Sequence, residues 1–376
     1  MLLMHRNIPT AVLEMKNGIP IGFQTILNKS ELPLGTYHEN PSTHKILFHK
    51  WYSSRSIPDA RHGISILEKE LGKTRAELFL DTTGVSITDG YWIAEESSNV
   101  AWEDINYHDN GFDETLLQAK VNQRITGTHS PDMTTDGVMD KFWYHAHGMP
   151  HLAKLDYDRD GILMANEVVY SNIACLCNVN TTPYTIGKLD TLLFCTCPSF
   201  ITNAEDDFIT AMQVKHSNLR LSGERLLQHF MQNLGFETEI RQMMTMDCIL
   251  HNTDRHEKNF GYIRHKDGSI SFAPLYDNGY CLGTNHDSSV IVTDADMKLL
   301  PDTRSQILER YGTIIPLDKS ALLSELEHTY ALYSIPEDRY EIAKSELLMG
   351  MAIYEDYAMS KQVSVGISTD VFKIER

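Results

Sequence analysis

Cysteine is scarce in this chain, basic runs are missing, and long apolar stretches do not occur. Six cysteines in 376 residues are too few for a disulfide-stapled scaffold. The start Met1-Leu2-Leu3-Met4-His5-Arg6 lacks the apolar h-region of a secretory signal, so reduced thiols are expected. Four of the cysteines form the pairs Cys175/Cys177 and Cys195/Cys197. Structural zinc sites space their thiols by about two to four residues in polar knuckles, whereas these pairs sit in apolar surroundings and read as buried thiols.

Lysine and arginine number 33 against 51 aspartates and glutamates, a formal net charge of −18. An acidic surface without a local concentration of Lys and Arg repels a polyphosphate backbone, which argues against direct nucleic-acid binding. No apolar stretch approaches the roughly 18 residues that span a bilayer. A cytoplasmic protein that does not enter the membrane is the expectation. What is present is ordinary globular composition, 42% hydrophobic and 22% charged, at a length that suits about two to three domains.

Three regions are expected along the chain. Residues 1–110 read as a mixed N-terminal subdomain with short β-type runs, 111–200 as a small α+β lobe, and 201–376 as mainly helical. A helix is expected over 63–71, and the polar, aromatic, turn-rich stretch 102–112 reads as a surface connection. A strand over 151–155, a helix over 167–176 and a buried strand over 190–194 follow from the apolar pattern. Ser222 can cap a helix that stops at Gly235, and the next helix, 237–251, carries Ile240, Met243, Met244 and Ile249 on its apolar side. Two more helices are expected over 317–332 and 336–358.

The chemistry lies just past residue 251. Asn252-Thr253-Asp254-Arg255-His256-Glu257-Lys258-Asn259-Phe260-Gly261 is followed by a short strand, the turn Lys266-Asp267-Gly268-Ser269, a second strand, and Pro274-Leu275-Tyr276-Asp277-Asn278-Gly279. Asp-Gly between two β-type runs is a hairpin signal, and the hairpin can return Asp277 to the neighbourhood of Asp254 and Asn259. Phosphoryl transfer to a hydroxyl calls for such a set: one carboxylate orients the attacking O–H, while an amide oxygen and a second carboxylate hold Mg²⁺ against nucleotide phosphates. The spacing from Asp254 to Asn259 is that of the protein-kinase catalytic loop.

Upstream, His151-Leu152-Ala153-Lys154-Leu155 places one lysine in an apolar strand, and Asn166-Glu167-Val168 opens a helix. Lys154 and Glu167 fit the strand-lysine and helix-glutamate pair with which kinases position the α- and β-phosphates. Thr134-Thr135-Asp136-Gly137-Val138-Met139-Asp140-Lys141 precedes that strand. Its small residues suit a turn whose backbone N–H groups approach phosphate oxygens, which makes Thr134, Thr135, Asp136 and Gly137 candidate nucleotide contacts. His256 and Lys258 of the 252–261 loop are counted with them.

Residues 252–261 together with Ala273-Pro274-Leu275-Tyr276-Asp277 resemble the HipA-like serine/threonine kinases, and the order of motifs agrees. The resemblance implies an α+β, two-lobed, protein-kinase-like fold related to the phosphoinositide-kinase branch. The nucleotide-binding N-lobe would occupy 111–200 and the catalytic C-lobe 201–376. It implies ATP and Mg²⁺ as cofactors, Asp254 as catalytic residue and Asn259 and Asp277 as metal ligands. Family members carry a Ser-x-x-Gly-x-Gln-x-Lys loop, to which 134–141 is similar, with Thr134 at the serine position and Met139 at the glutamine. Some phosphorylate themselves in that loop, and some are toxins restrained by an antitoxin, so a protein substrate of unknown identity and an antitoxin-like partner are the implied partners.

A competing signal overlaps this one. Residues 156–167, Asp156-Tyr157-Asp158-Arg159-Asp160-Gly161 through Glu167, fit a twelve-residue EF-hand loop, but Gly148 and Pro150 interrupt any incoming helix and no second loop is present to pair with it. An acidic turn is the preferred reading. His145, His147 and His151 also cluster and are read as ordinary imidazoles. The runner-up functions are a nucleotide- or calcium-binding pseudokinase acting as a partner-binding module, and a kinase for a small molecule or lipid.

Overall fold

A computed structural model describes residues 1–55, 68–69, 71–121, 124–135, 139–155, 160–189, 192–284, 298–300 and 302–371. Most of the helix expected over 63–71 lies outside them, as do Asp136 and Gly137 and residues 156–159 of the acidic loop. The described residues form an α+β chain that divides into two compact units. The first comprises Met1–Leu155, Gly187–Ser222 and Gly261–Ala273; the second comprises Asp156–Ile186, Gly223–Phe260 and Pro274–Arg376.

In the first unit, β1 (Leu2–His5), β2 (Ile8–Lys16), β3 (Ile19–Ile26) and β4 (Tyr91–Ala94) pair antiparallel in the order β3-β2-β1-β4. Strand β1 buries Leu3 and His5 at alternate positions, the period of a strand with one face on a core. Helix α1 (Pro41–Ser53) starts where the Asn40 side chain accepts the N–H groups of Ser42 and Thr43 at 3.0 and 3.1 Å. Pro41 suits the first helical position because no N–H is needed there. The helix lays Phe48 and Trp51 against Leu3, Leu13 and Tyr91, each large apolar side chain contributing about 1.5–3 kcal/mol of burial. Short helices α2 (Arg75–Asp81) and α3 (Thr115–Lys120) follow.

The stretch 102–112 is not a surface connection. Trp102 and Tyr107 are buried in a core with Trp92 and Trp143, and the Trp102 indole N–H donates to the Ala204 carbonyl at 3.1 Å. The polar residues that suggested a loop satisfy one another: Asn106 accepts the N–H groups of His108 and Asp109 and donates to the Trp102 carbonyl. The large aromatics outweigh the turn-forming residues between them.

A second sheet holds β5 (Asp140–Ala146), β6 (Met149–Leu155), β7 (Thr185–Leu189) and β8 (Leu192–Pro198) in the order β5-β6-β8-β7. The strand expected over 190–194 is thus found over 192–198, and it carries Cys195 and Cys197, both buried. A third sheet, in the order β11-β10-β9, is formed by β9 (Asp207–Thr210), β10 (Gly261–Arg264) and β11 (Ile270–Phe272). The expected Asp267-Gly268 turn joins the last two, with Gly268 at φ +83°, where a side chain would be strained.

The second unit is mainly helical. Its elements are α4 (Ile162–Leu176), α6 (Glu224–Gln228) running into a π-helical turn His229–Asn233, α7 (Glu237–Leu250), α8 (Arg304–Tyr311), α9 (Lys319–Leu332) and α10 (Glu337–Val371). Helix α5 (Ala211–Ser217) belongs to the first unit. Helix α4 begins at Ile162 rather than 167, because Gly161 in the left-handed region (φ +79°) turns the chain directly into Ile162, Leu163, Met164 and Ala165, all buried. Helix α7 stops where expected: His251 takes the left-handed conformation (φ +50°) that ends many helices. The Tyr330 hydroxyl of α9 donates to the Asn166 side chain of α4 at 2.6 Å. Among the described residues, no helix is long and apolar enough to cross a membrane.

Candidate active site

The site is organised around a buried ion pair in the second unit. Asp247, in the last turn of α7, and Arg255, in the loop that follows, are both buried. Arg255 donates Nε and Nη2 to the two Asp247 oxygens at 2.8 and 3.0 Å. Its remaining N–H groups reach the carbonyls of Asn259 (2.7 Å) and Tyr276 (3.2 Å) and the Asn278 side-chain oxygen (2.6 Å). All five guanidinium N–H groups are therefore used. Asp247 also accepts from the Asn252 amide at 3.0 Å and the Tyr170 hydroxyl at 2.8 Å. Burial disfavours the charged guanidinium, but the Asp247 carboxylate overcomes it and holds the Arg255 proton more tightly than usual. Burial first, and then Asp247, push the Tyr170 hydroxyl well above the ordinary tyrosine range, so it remains a donor.

This hub places the predicted residues. The Asp254 N–H donates to the Asn252 side chain at 3.2 Å, and the Asn259 side-chain amide donates to the Asp254 carbonyl at 3.3 Å. The second strand of the hairpin then leads to Asp277, at φ +57°, between Tyr276 and Asn278, both of which Arg255 holds. The Tyr276 hydroxyl donates to the Lys258 carbonyl at 2.5 Å, and the Asn278 N–H donates to Glu167 Oε2 at 2.8 Å. Further along, Thr253 N–H donates to the Tyr280 carbonyl at 3.1 Å. The 252–259 loop and the 276–280 segment are thus fastened together at several points.

The Asp254 side chain is about a quarter exposed; Lys298 Nζ lies 2.6 Å from one oxygen and His256 Nε2 3.9 Å from the other. A partly exposed carboxylate can reach a substrate hydroxyl. The Asn259 side-chain N–H is turned to the Asp254 backbone. An amide oxygen and a carboxylate, the groups that Asn259 and Asp277 carry, are of the hard oxygen type that suits Mg²⁺.

Glu167, buried in α4 and holding the Asn278 N–H, is committed to this assembly, and the last position of the EF-hand pattern is thereby the first turns of a helix rather than the end of a loop. Among the described residues, no cluster of three His, Cys, Asp or Glu side chains is arranged to hold a metal ion. The six cysteines form no disulfide, and only Cys175 is exposed.

The remaining candidates lie in the first unit. Lys154 is buried on β6, in register with Lys141 on β5 and Cys195 on β8, so the three share one face of the sheet. Thr134 ends a short 3-10 helix Pro131–Thr134, and its hydroxyl donates to the Pro131 carbonyl at 3.3 Å. The Thr135 hydroxyl donates to the same carbonyl at 2.7 Å and accepts the Trp143 indole N–H at 2.7 Å. Asp132 anchors this turn by accepting the N–H groups of Trp143 and Leu116.

Sequence reasoning missed Asp247, Tyr170, Asn278 and Lys298. For Asp247 a signal existed: a carboxylate within the apolar run of α7 needs a buried cation, and Arg255 stands two turns' length further on. Tyr170 and Lys298 carry no comparable mark.

Residues 133–306 match the family model described as the HipA-like C-terminal domain. This segment is similar to the HipA-like family. The HipA-like segment contains Lys154, Glu167, Asp254, Asn259 and Asp277, as well as the Asp247–Arg255 hub, whereas α9 and α10 lie beyond it. Among solved structures, the chain is similar to the Helicobacter pylori proinflammatory kinase CtkA, at 16% identity over 60% of this chain and 95% of that one, with a TM-score of 0.45. It is also similar to HipA of Shewanella oneidensis MR-1, solved as a toxin–antitoxin system with HipB and operator DNA, at 12% identity over 81% of this chain and 84% of that one, with a TM-score of 0.49. No curated protein sequence matches it.

Proposed function

We propose that this protein is an ATP- and Mg²⁺-dependent serine/threonine protein kinase of the HipA-like type. The observation that carries the reading is the Arg255 hub, which fastens the Asp254–Asn259 loop to the segment bearing Asp277 through two contacts, one to the Tyr276 carbonyl and one to the Asn278 side chain. In this reading Asp254 accepts a hydrogen bond from the substrate hydroxyl and aligns it. Asn259 and Asp277 hold Mg²⁺, which neutralises phosphate charge when bound. Glu167 keeps the Asp277 segment in place through the Asn278 N–H. Lys154, with Thr134 and Thr135 and the neighbouring Asp136 and Gly137, serves the nucleotide phosphates; His256 and Lys258 add positive charge beside Asp254. Positioning and electrostatics then supply most of the rate effect.

Autophosphorylation at Thr134 or Thr135 would require the turn to leave its present arrangement, because both hydroxyls are tied to the Pro131 carbonyl. A protein substrate and an antitoxin-like partner complete the proposal; the relation of HipA to HipB supports the latter by family alone. The test is intact-mass spectrometry with peptide mapping after incubation of wild type and Asp254→Asn with ATP and Mg²⁺, alone and with a protein-substrate mixture. Phosphate transfer should fall about 10²–10⁴-fold in Asp254→Asn, the range for loss of a positioned acid–base group. Equal incorporation in the two proteins would overturn the assignment.

A further inference from the structure

The loop that bears Asp254 leaves α7 at a point gripped by α10. Glu346 of α10 is fully buried, and its Oε2 lies 2.9 Å from His251 Nδ1 and 3.3 Å from Arg304 Nη1. Arg304 is itself buried at the start of α8 and also contacts Met349 Sδ. Four residues beyond Glu346, and so on the same face of the helix, Gly350 lets α10 lie directly on the end of α7. A Cβ at Gly350 would stand 1.9 Å from the Ile249 carbonyl oxygen and 2.7 Å from its carbonyl carbon. Glycine within a helix is unfavourable relative to alanine, and the close approach is what that residue permits. The two contacts, on Ile249 and His251, bracket the step at which α7 stops and the backbone turns left-handed toward Asp254. Both come from a helix outside the 133–306 segment.

We propose that Glu346 is a positioning residue for the phosphoryl-transfer loop, acting with Gly350 to fix the last turn of α7 and the left-handed step at His251, and through them Asp254 and Asn259. Its effect on turnover rests on the kinase reading; its effect on the loop does not. The full chain is compared as wild type, Glu346→Gln, Gly350→Ala and Asp254→Asn, with circular dichroism and thermal melting to identify folded variants. Hydrogen exchange is read at the Thr253 and Asn259 amides, which donate to the Tyr280 and His256 carbonyls, against the Leu322 amide of α9 as reference. In folded Glu346→Gln or Gly350→Ala, exchange at Thr253 and Asn259 should rise about tenfold or more with Leu322 unchanged, as expected of a local opening. MgATP affinity by calorimetry should stay within about threefold while turnover falls about tenfold to a hundredfold, the cost of misplacing a reacting group.

Wild-type exchange at both amides in either folded variant would overturn the proposal. So would wild-type turnover in Glu346→Gln when Asp254→Asn is inactive, which would leave the kinase reading intact. Faster loop exchange in the variants of a protein whose wild type transfers no phosphate would uphold the positioning role and overturn the kinase reading.

Discussion

Asp207 in the first unit and Asp247 in the second are both buried carboxylates set against arginine, yet their partners come from different distances along the chain. Asp207 receives His5 Nε2 at 3.1 Å, Arg6 Nη2 at 3.0 Å, Arg264 Nη2 at 2.9 Å and the Gly90 N–H at 2.9 Å. It therefore joins β1, the entrance to β4, β9 and β10, contacts separated by up to 202 residues. Asp247 draws on Asn252 and Arg255 within eight residues, with Tyr170 as its distant partner. The first cluster closes a scaffold and the second shapes a loop. Exposure separates them as well: the Arg6 and Arg264 side chains are 19% and 33% exposed, whereas Arg255 is 1% exposed.

That contrast can be broken first at Asp247. Asp247→Asn leaves the Arg255 charge buried without its counter-ion, and a loss of about 3–5 kcal/mol is expected in denaturant unfolding. Asp207→Asn should cost less, about 1–3 kcal/mol, because water can reach two of the stranded cations. Burial alone would raise the Asp207 carboxyl, but His5, Arg6 and Arg264 outweigh it and hold the group well below the usual carboxylate range. A depressed folded value means that this stabilisation is present above the unfolded value near about 3.9 and is lost as pH falls through the folded one. Urea midpoints of wild type and Asp207→Asn should therefore differ steadily at pH 5–7 and converge only below about pH 4; midpoints that already coincide at pH 5–7 would overturn this role for Asp207. The smallest change is expected at Lys298→Met, whose exposed pair with Asp254 should contribute less than about 1 kcal/mol. Thermal melting that shows a larger loss would move Lys298 from the surface class toward the buried one.

The same contrast marks what could be read from residues alone. Helix α7, its stop at His251, the Asp267-Gly268 hairpin and the return of the chain to Asp277 depend on neighbours in sequence, so caps, glycines and apolar period announce them. The Asp254, Asn259 and Asp277 candidates were visible for that reason. Asp207's cluster was not, since nothing near Asp207 signals His5 or Arg6. The burial of 102–112 escaped because local polarity was weighed above three aromatic side chains whose partners, Trp92, Trp143 and Ala204, lie elsewhere in the chain. Helix α4 starts before its expected position because Gly161, inside the acidic loop pattern, already turns the chain into the helix.

The chain leaves one unit for the other at 155/156, 186/187, 222/223, 260/261 and 273/274, and this interleaving bears on synthesis. The first unit cannot pair β9 with β10, or set Arg264 against Asp207, until residues near 264 have left the ribosome. Its third sheet must therefore wait, with β9 unpaired, while residues 223–260 of the second unit are translated. Contacts of such long sequence separation slow folding. A nascent chain stalled before β10 should accordingly stay protease-sensitive over residues that form an ordered sheet in the finished protein.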